Sequence, residues 1–170
     1  RGYVHFIRMM IDAQKDNGAV PCIVPCTHRF GYKWGTGPAW DVAIFEIPKR
    51  VYWFYGDDSL AKETYTTMKK YIAFAATKAG KDGLYRYGLA DWCPLRGTHV
   101  ASNKLTDSAY VWYMHKEMAF WAERFGDKAF AKEMLAKAQK IKDAFNKAFY
   151  KGNGVYDRIC KNKPGEKRSL

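Results

Sequence analysis

The sequence predicts an all-α fold in which antiparallel helical hairpins form part of an α/α toroid, and three observations carry that prediction. Apolar residues recur at helical spacing through most of the chain. Segments that are apolar around much of their circumference alternate with segments apolar along a single stripe, which reads as buried helices alternating with helices that face water. Short connections alternate with connections of roughly twenty residues, far above the usual length and therefore functional or disordered. Inner and outer helices in alternation close into a ring, and about five of them make an incomplete one.

Residues 3–16 read as the first helix, with Phe6, Met9, Met10 and Ala13 at helical spacing and Asn17–Gly18 as its end. Residues 18–38 follow as a long loop holding Pro21, Pro25, Gly31, Gly35, Gly37 and Pro38. Residues 39–55 form a second helix, apolar on nearly every side, which Pro48 should bend by removing one donor. Asp58 or Ser59 caps the third helix, 59–79, whose stripe is Leu60, Met68, Ile72, Ala75 and Ala79. Residues 80–104 are a second long loop. Ser102 or Thr106 caps a fourth helix running to about residue 125. Val111, Met114, Met118 and Phe125 line one of its faces, and Ala109, Trp112 and Ala119 another. Gly126–Asp127 is a tight break. The fifth helix, 128–149, has one stripe of Phe130, Met134, Ala138, Ile141, Phe145 and Phe149, with Lys132, Lys137, Lys140 and Lys147 opposite.

Hairpins of this kind place both long loops at one end of the assembly. Trp40–Asp41 ends the first loop and Asp91–Trp92 lies in the second. All four residues are therefore expected on one rim, at or before the N-termini of buried helices, where free N–H groups and a positive dipole end are exposed. The loops are rich in Trp, Tyr, Gly and Pro, unlike disordered linkers.

Composition narrows the alternatives. The 170 residues suit one domain, and 48% hydrophobic with 16% aromatic content is ample for a core. No run of 18 residues is free of charge, so no membrane span is expected, and no secretory signal is visible. The chain opens at Arg1 without an initiator Met, as a mature product or a piece of a longer protein would. Net charge is +12, but the lysines are spread along helices, which reads as a solvated basic surface with no nucleic-acid partner. Cys22 and Cys26 make a C-x3-C pair near His28, without a convincing fourth ligand for zinc. With Cys93 and Cys160 they read as free thiols, with no metal and no disulfide framework.

Two indoles and two carboxylates on one rim suit a carbohydrate. A sugar's C–H face packs on an indole plane, and its hydroxyls find acceptors in Asp41 and Asp91. The bland alternative makes Trp40 a plug for the helix core and Asp41 a first-turn helix-dipole residue. Tyr32, Trp34, Tyr85 and Tyr87 either widen an aromatic cleft or pack within the loops.

The segments "DNGAVPCIVP" (16–25), "GPAWDVAIFEIPKRVYWFYGDD" (37–58), "DGLYRYGLADW" (82–92) and "FNKAFYKGNGVYD" (145–157) occur in an order and at distances that resemble the middle of the bacterial α-L-rhamnosidase catalytic domain. The resemblance implies an (α/α)6 barrel, an inverting glycoside hydrolase, no cofactor, and a rhamnose-containing glycan or glycoside as substrate. Trp40 matches the tryptophan of the family's G-P-A-W segment and Trp92 that of its G-D-W segment; both would contact the sugar. Here the second segment reads "ADW", with Ala90 in place of glycine. Asp91 would be a rim ligand to a hydroxyl. Asp41 directly follows the tryptophan, where many members insert a glycine, so its role is less defined. The family's catalytic acid lies in a D-x-x-x-R-x-E segment upstream and its base is a Glu well downstream. Both catalytic residues are expected outside this chain, in the remainder of the catalytic domain, and the chain alone is expected to be inactive. Asp41, Glu46 and Asp91 are the internal candidates. Glu46 reads as a polar partner in the core, and nothing in the sequence raises the pKa of Asp41 or Asp91. Residues 1–157 are thus expected to be a partial barrel and the basic stretch 158–170 a disordered tail. A competing reading, resting on charge alone, is a basic all-α module binding nucleic acid or acidic glycans; a third is a helical scaffold for protein partners.

Overall fold

The computed structural model describes residues 2–25, 37–89 and 101–157. The helices in chain order are α1 (Gly2–Asp12), α2 (Pro38–Asp41), α3 (Ala43–Tyr55), α4 (Ser59–Ala76), α5 (Asn103–Arg124) and α6 (Lys128–Phe149). Two short strands, β1 (Tyr150–Gly152) and β2 (Val155–Tyr156), follow. The hairpins α3–α4 and α5–α6 are the expected antiparallel pairs, and α5 also packs against α2, α3 and α4. Among the described residues no helix is long and apolar enough to cross a membrane.

The hairpin turns are built by local chemistry. Gly56 takes a left-handed φ of 68° at the end of α3 and donates its N–H to the Tyr52 carbonyl at 2.8 Å. Asp57, not Asp58 or Ser59, accepts at the start of α4, with Ser59 N–H 2.9 Å from its Oδ1. Asp58 turns its carboxylate to Lys62 (2.8 Å) and Arg124 (3.0 Å) instead. Ser102 caps α5 by accepting from Lys104 N–H at 3.2 Å, and Asp127 caps α6 by accepting from Phe130 N–H at 3.3 Å.

Two expectations change. The helix expected over 39–55 is interrupted at Val42, leaving the single turn α2 ahead of α3; Pro38 starts that turn, where a missing N–H costs nothing. The inner and outer helices differ less in burial than their sequences suggest. The one-striped α4 buries nine residues, including Met68, Tyr71, Ile72 and Phe74, because it lies against α1, α3 and α5. The many-sided α3 buries only Ile44, Phe45 and Pro48, and its end carries exposed Trp53, Phe54 and Tyr55. The chain past α6, to which the sequence reading assigned no element, forms a hairpin. Gly152 pairs with Val155 across Asn153 and Gly154, whose φ values of 52° and 76° are those of a two-residue primed turn.

The main core joins α1, α3, α4, α5 and α6 through Ile7, Met10, Ile44, Phe45, Met68, Met114, Met118, Trp121 and Met134. Trp121 is fully buried and lies stacked on Phe125 at 5.5 Å, with Tyr52 and Phe120 edge-on at 5.5 and 4.9 Å. Tyr85, Val111 and Ile141 form a second cluster, and Leu84 and Phe149 a third. These two clusters fasten the start of the second long connection to α5 and α6.

Candidate functional site

The two long connections meet. A Cβ on Gly37 would stand 2.8 Å from the Gly88 Cα, and a Cβ on Gly88 would stand 3.0 Å from the Gly37 Cα. Neither residue has a side chain to interpose, so the backbones lie against each other. Gly37 is needed for that space and not for its conformation, because its φ of −167° is ordinary extended backbone. Gly37 opens the Trp40 turn, and Gly88 precedes Asp91 by three positions. The expectation of one shared end therefore holds for the described ends of both connections.

The start of the second connection is held by α5 side chains in its first turns. Asp107 Oδ2 accepts the N–H groups of Tyr87 and Gly88, both at 2.7 Å. Asn103 Nδ2 donates to the Gly88 carbonyl at 2.6 Å, and Ser108 Oγ accepts from Tyr85 N–H at 2.9 Å. Lys104 pairs with Asp82 at 2.8 Å. An extended run has no ladder of its own, so its buried amides need partners of this kind.

Under the Trp40 turn lies a buried polar chain. Asp41 is fully buried, and its Oδ2 accepts from the Tyr71 hydroxyl at 2.7 Å. The Tyr71 and Tyr87 hydroxyls are 3.0 Å apart. With the Tyr71 proton given to Asp41 Oδ2, Tyr87 must donate to Tyr71. Tyr87 then connects back, through its own N–H, to Asp107. Burial pushes the Asp41 carboxyl up to about 7, against hydrogen bonds from Tyr71 and Gly37 that favour the anion, and the Asp107 charge adds to the rise. Burial pushes Asp107 up to about 6, against the Gly88 and Tyr87 amides. Both Tyr71 and Tyr87 are raised above the usual tyrosine range, first by burial. One oxygen of each carboxylate, Oδ1 in both, is buried with no hydrogen-bond partner among the described residues.

Trp40 stands half-buried at the head of this network, its N–H 2.9 Å from the Gly37 carbonyl. Asp41, expected on the rim, lies beneath it. The expectation that nothing raises the Asp41 pKa is overturned, because full burial does so. Glu46 is half-buried and is the polar partner it was expected to be, taking the Tyr113 hydroxyl and the Arg50 guanidinium. Asp91 and Trp92 lie outside the described residues, as do Tyr32, Trp34, Cys26, His28, Cys93, Cys160 and the stretch 158–170. Sequence reasoning missed Asp107 and Tyr71. An acid at a position facing the core of a helix was the available signal for the first, and a tyrosine in the apolar stripe of α4 for the second.

A model of the bacterial alpha-L-rhamnosidase six-hairpin glycosidase domain matches residues 2–163. Two alpha-L-rhamnosidases of Formosa agariphila are similar: one is 34% identical over 117 residues (65% of this chain, 12% of the relative). The other is 28% identical over 160 residues (91% and 17%). Among solved structures, an alpha-L-rhamnosidase from Dictyoglumus thermophilum superposes with a TM-score of 0.75 at 33% identity, covering 88% of this chain and 17% of that one. The fold is also that of the Aspergillus terreus enzyme, with a TM-score of 0.76 at 18% identity over 90% of this chain and 18% of that one. The Streptomyces avermitilis enzyme, solved with L-rhamnose, gives 0.73 at 19% over 85% of this chain and 13% of that one. The chain spans between 12% and 18% of the length of these relatives.

Proposed function

We infer, because the chain belongs to the bacterial alpha-L-rhamnosidase six-hairpin glycosidase domain family, that it supplies part of the sugar pocket of an enzyme hydrolysing terminal α-L-rhamnosyl linkages. The observation that carries this is the meeting of the two aromatic connections at Gly37 and Gly88, at the N-terminal ends of α2 and α5. Trp40 offers an apolar plane to the C–H face of the sugar. Trp92 offers a second, and Asp91 accepts from a sugar hydroxyl. Asp41 acts from below, holding the Trp40 turn to α4 through Tyr71.

The reaction is inverting. One carboxylic acid protonates the glycosidic oxygen while a second carboxylate, about 6.5–9.5 Å away, activates a water on the opposite face of the ring. The buried acids described here are otherwise engaged: Asp41 with Tyr71, Asp107 with two amides, Glu117 with Lys49. The family resemblance puts the acid in a segment upstream and the base in one downstream, in the remainder of the catalytic domain, so these 170 residues by themselves are expected to turn nothing over. The test is hydrolysis of an aryl α-L-rhamnoside by the full-length protein, with the first-formed sugar followed by NMR. Release of β-L-rhamnose is expected. A first product of α configuration overturns the inverting mechanism, and turnover by the 170-residue chain alone overturns the assignment of acid and base elsewhere.

A further inference from the structure

We propose that Asp107 is a positioning residue for the sugar pocket: through the Tyr87 and Gly88 amides its carboxylate clamps the root of the second long connection onto the Gly37 turn, and so fixes where Trp40 stands. The proposal rests on the rhamnosidase reading above. Four α5 side chains hold the run from Asp82 to Gly88, and two of them reach Gly88, where the connections touch: Asn103 at its carbonyl and Asp107 at its amide, with Asp107 taking the Tyr87 amide as well. Asp107 Oδ1 would lie 2.7 Å from a Cβ on Gly88, and the same Cβ would lie 3.0 Å from the Gly37 Cα. Three groups are therefore stacked without a gap: the α5 carboxylate, the Gly88 backbone and the Gly37 backbone. Gly37 in turn accepts the N–H groups of Trp40 and Asp41, both at 2.9 Å, on its carbonyl.

The choice of residue fits the task. Two N–H groups on one oxygen at 2.7 Å suit an anion, whose hydrogen bonds are shorter and stronger than those of a neutral acceptor. Ser108, one residue on, makes the comparable link to Tyr85 with a hydroxyl, three residues before the contact. Asp107 also reaches the Trp40 turn by a second route, because Tyr87 joins Tyr71 and Tyr71 joins Asp41. A residue acting this way changes where the sugar lies and not the chemistry performed on it.

Asp107→Ala, Asp107→Asn and Ser108→Ala, each in the full-length protein, separate positioning from stability. Asp107→Ala is expected to raise both the KM for an aryl α-L-rhamnoside and the Kd for L-rhamnose by about 10-fold, with kcat within about threefold. Asp107→Asn, which keeps an acceptor oxygen, should restore Kd to within about threefold of the parent. Ser108→Ala should lower Tm with Kd unchanged. Equal Kd in Asp107→Ala and Ser108→Ala overturns the proposal, as does an Asp107→Ala variant that loses kcat with KM unchanged. Should Asp107→Ala not fold, Asp107→Ser, too short to reach both amides, replaces it in the same comparison. If the parent protein neither binds nor hydrolyses rhamnosides, the functional reading fails by itself. The clamp is then judged by hydrogen exchange at the Trp40 amide: faster exchange in Asp107→Ala than in Ser108→Ala supports it, and equal exchange refutes it.

Discussion

Asp41 keeps a proton in the folded chain that it would release in the unfolded one. Its carboxyl ionises near 4 in an exposed chain and is pushed up to about 7 by burial. Between those values the unfolded state binds fewer protons, so stability is fully present at the acid end and is lost as pH rises toward 7. Asp107 adds the same sign over a narrower range, up to about 6. His115 works the other way. It is buried, its Nδ1–H donates to the Val111 carbonyl at 2.8 Å, and burial lowers its pKa, so its share of stability is lost as pH falls through the ordinary histidine range. Asp41→Asn keeps the acceptor for Tyr71 and removes the titration. The variant should therefore gain stability relative to its parent on going from pH 4.5 to pH 7.5, by on the order of a few kcal/mol. Urea unfolding at the two pH values measures this, and an unchanged difference would mean that Asp41 is solvated in solution. None of this is visible in the sequence, where an Asp after a Trp in the first helical turn is an ordinary dipole residue.

Helix faces were legible because period and burial are one signal. On α6 the stripe expected from the sequence contains Met134, Ala138, Ile141 and Phe149, all buried, with Phe130 and Phe145 half-buried. On α4, Leu60, Met68, Ile72 and Ala75 are buried, while Ala79 falls past the end of the helix. What periodicity could not give was the interruption at Val42, which depends on how the Gly37–Pro38 turn is fixed from outside. The β1–β2 hairpin was announced by Asn153–Gly154, a strong two-residue turn signal that the helical reading of the preceding stripe overshadowed. The exposed end of α3 could not be foreseen either, because apolarity reports what a helix can bury and not which neighbours it meets. At this scale the sharpest test is the aromatic cluster between α3 and α5. Trp121→Ala removes the ring that Tyr52, Phe120 and Phe125 pack around and should cost about 3–5 kcal/mol in unfolding free energy. A loss below about 1 kcal/mol would show that the cluster collapses to fill the space.

For the whole molecule, the alternation of short turns with long aromatic connections carries the functional argument. It predicted that both connections belong to one end of the bundle, and the Gly37–Gly88 contact places their described ends together. The same alternation, with the four segments that resemble the bacterial α-L-rhamnosidases, identified the family from sequence. The buried chain Asp41–Tyr71–Tyr87–Asp107 was not legible, because its members lie on four separate segments and only folding joins them. The basic surface of α6, with Lys132, Lys137, Lys140 and Lys147 all exposed, is consistent with the solvated face read from the sequence. The most direct measurement is the binding of L-rhamnose to the full-length protein with and without Trp40→Ala, followed by calorimetry. A Kd raised at least about 10-fold, with Tm lowered by no more than a few degrees, is the expected result. An unchanged Kd in a folded variant would contradict the placing of the sugar at this rim.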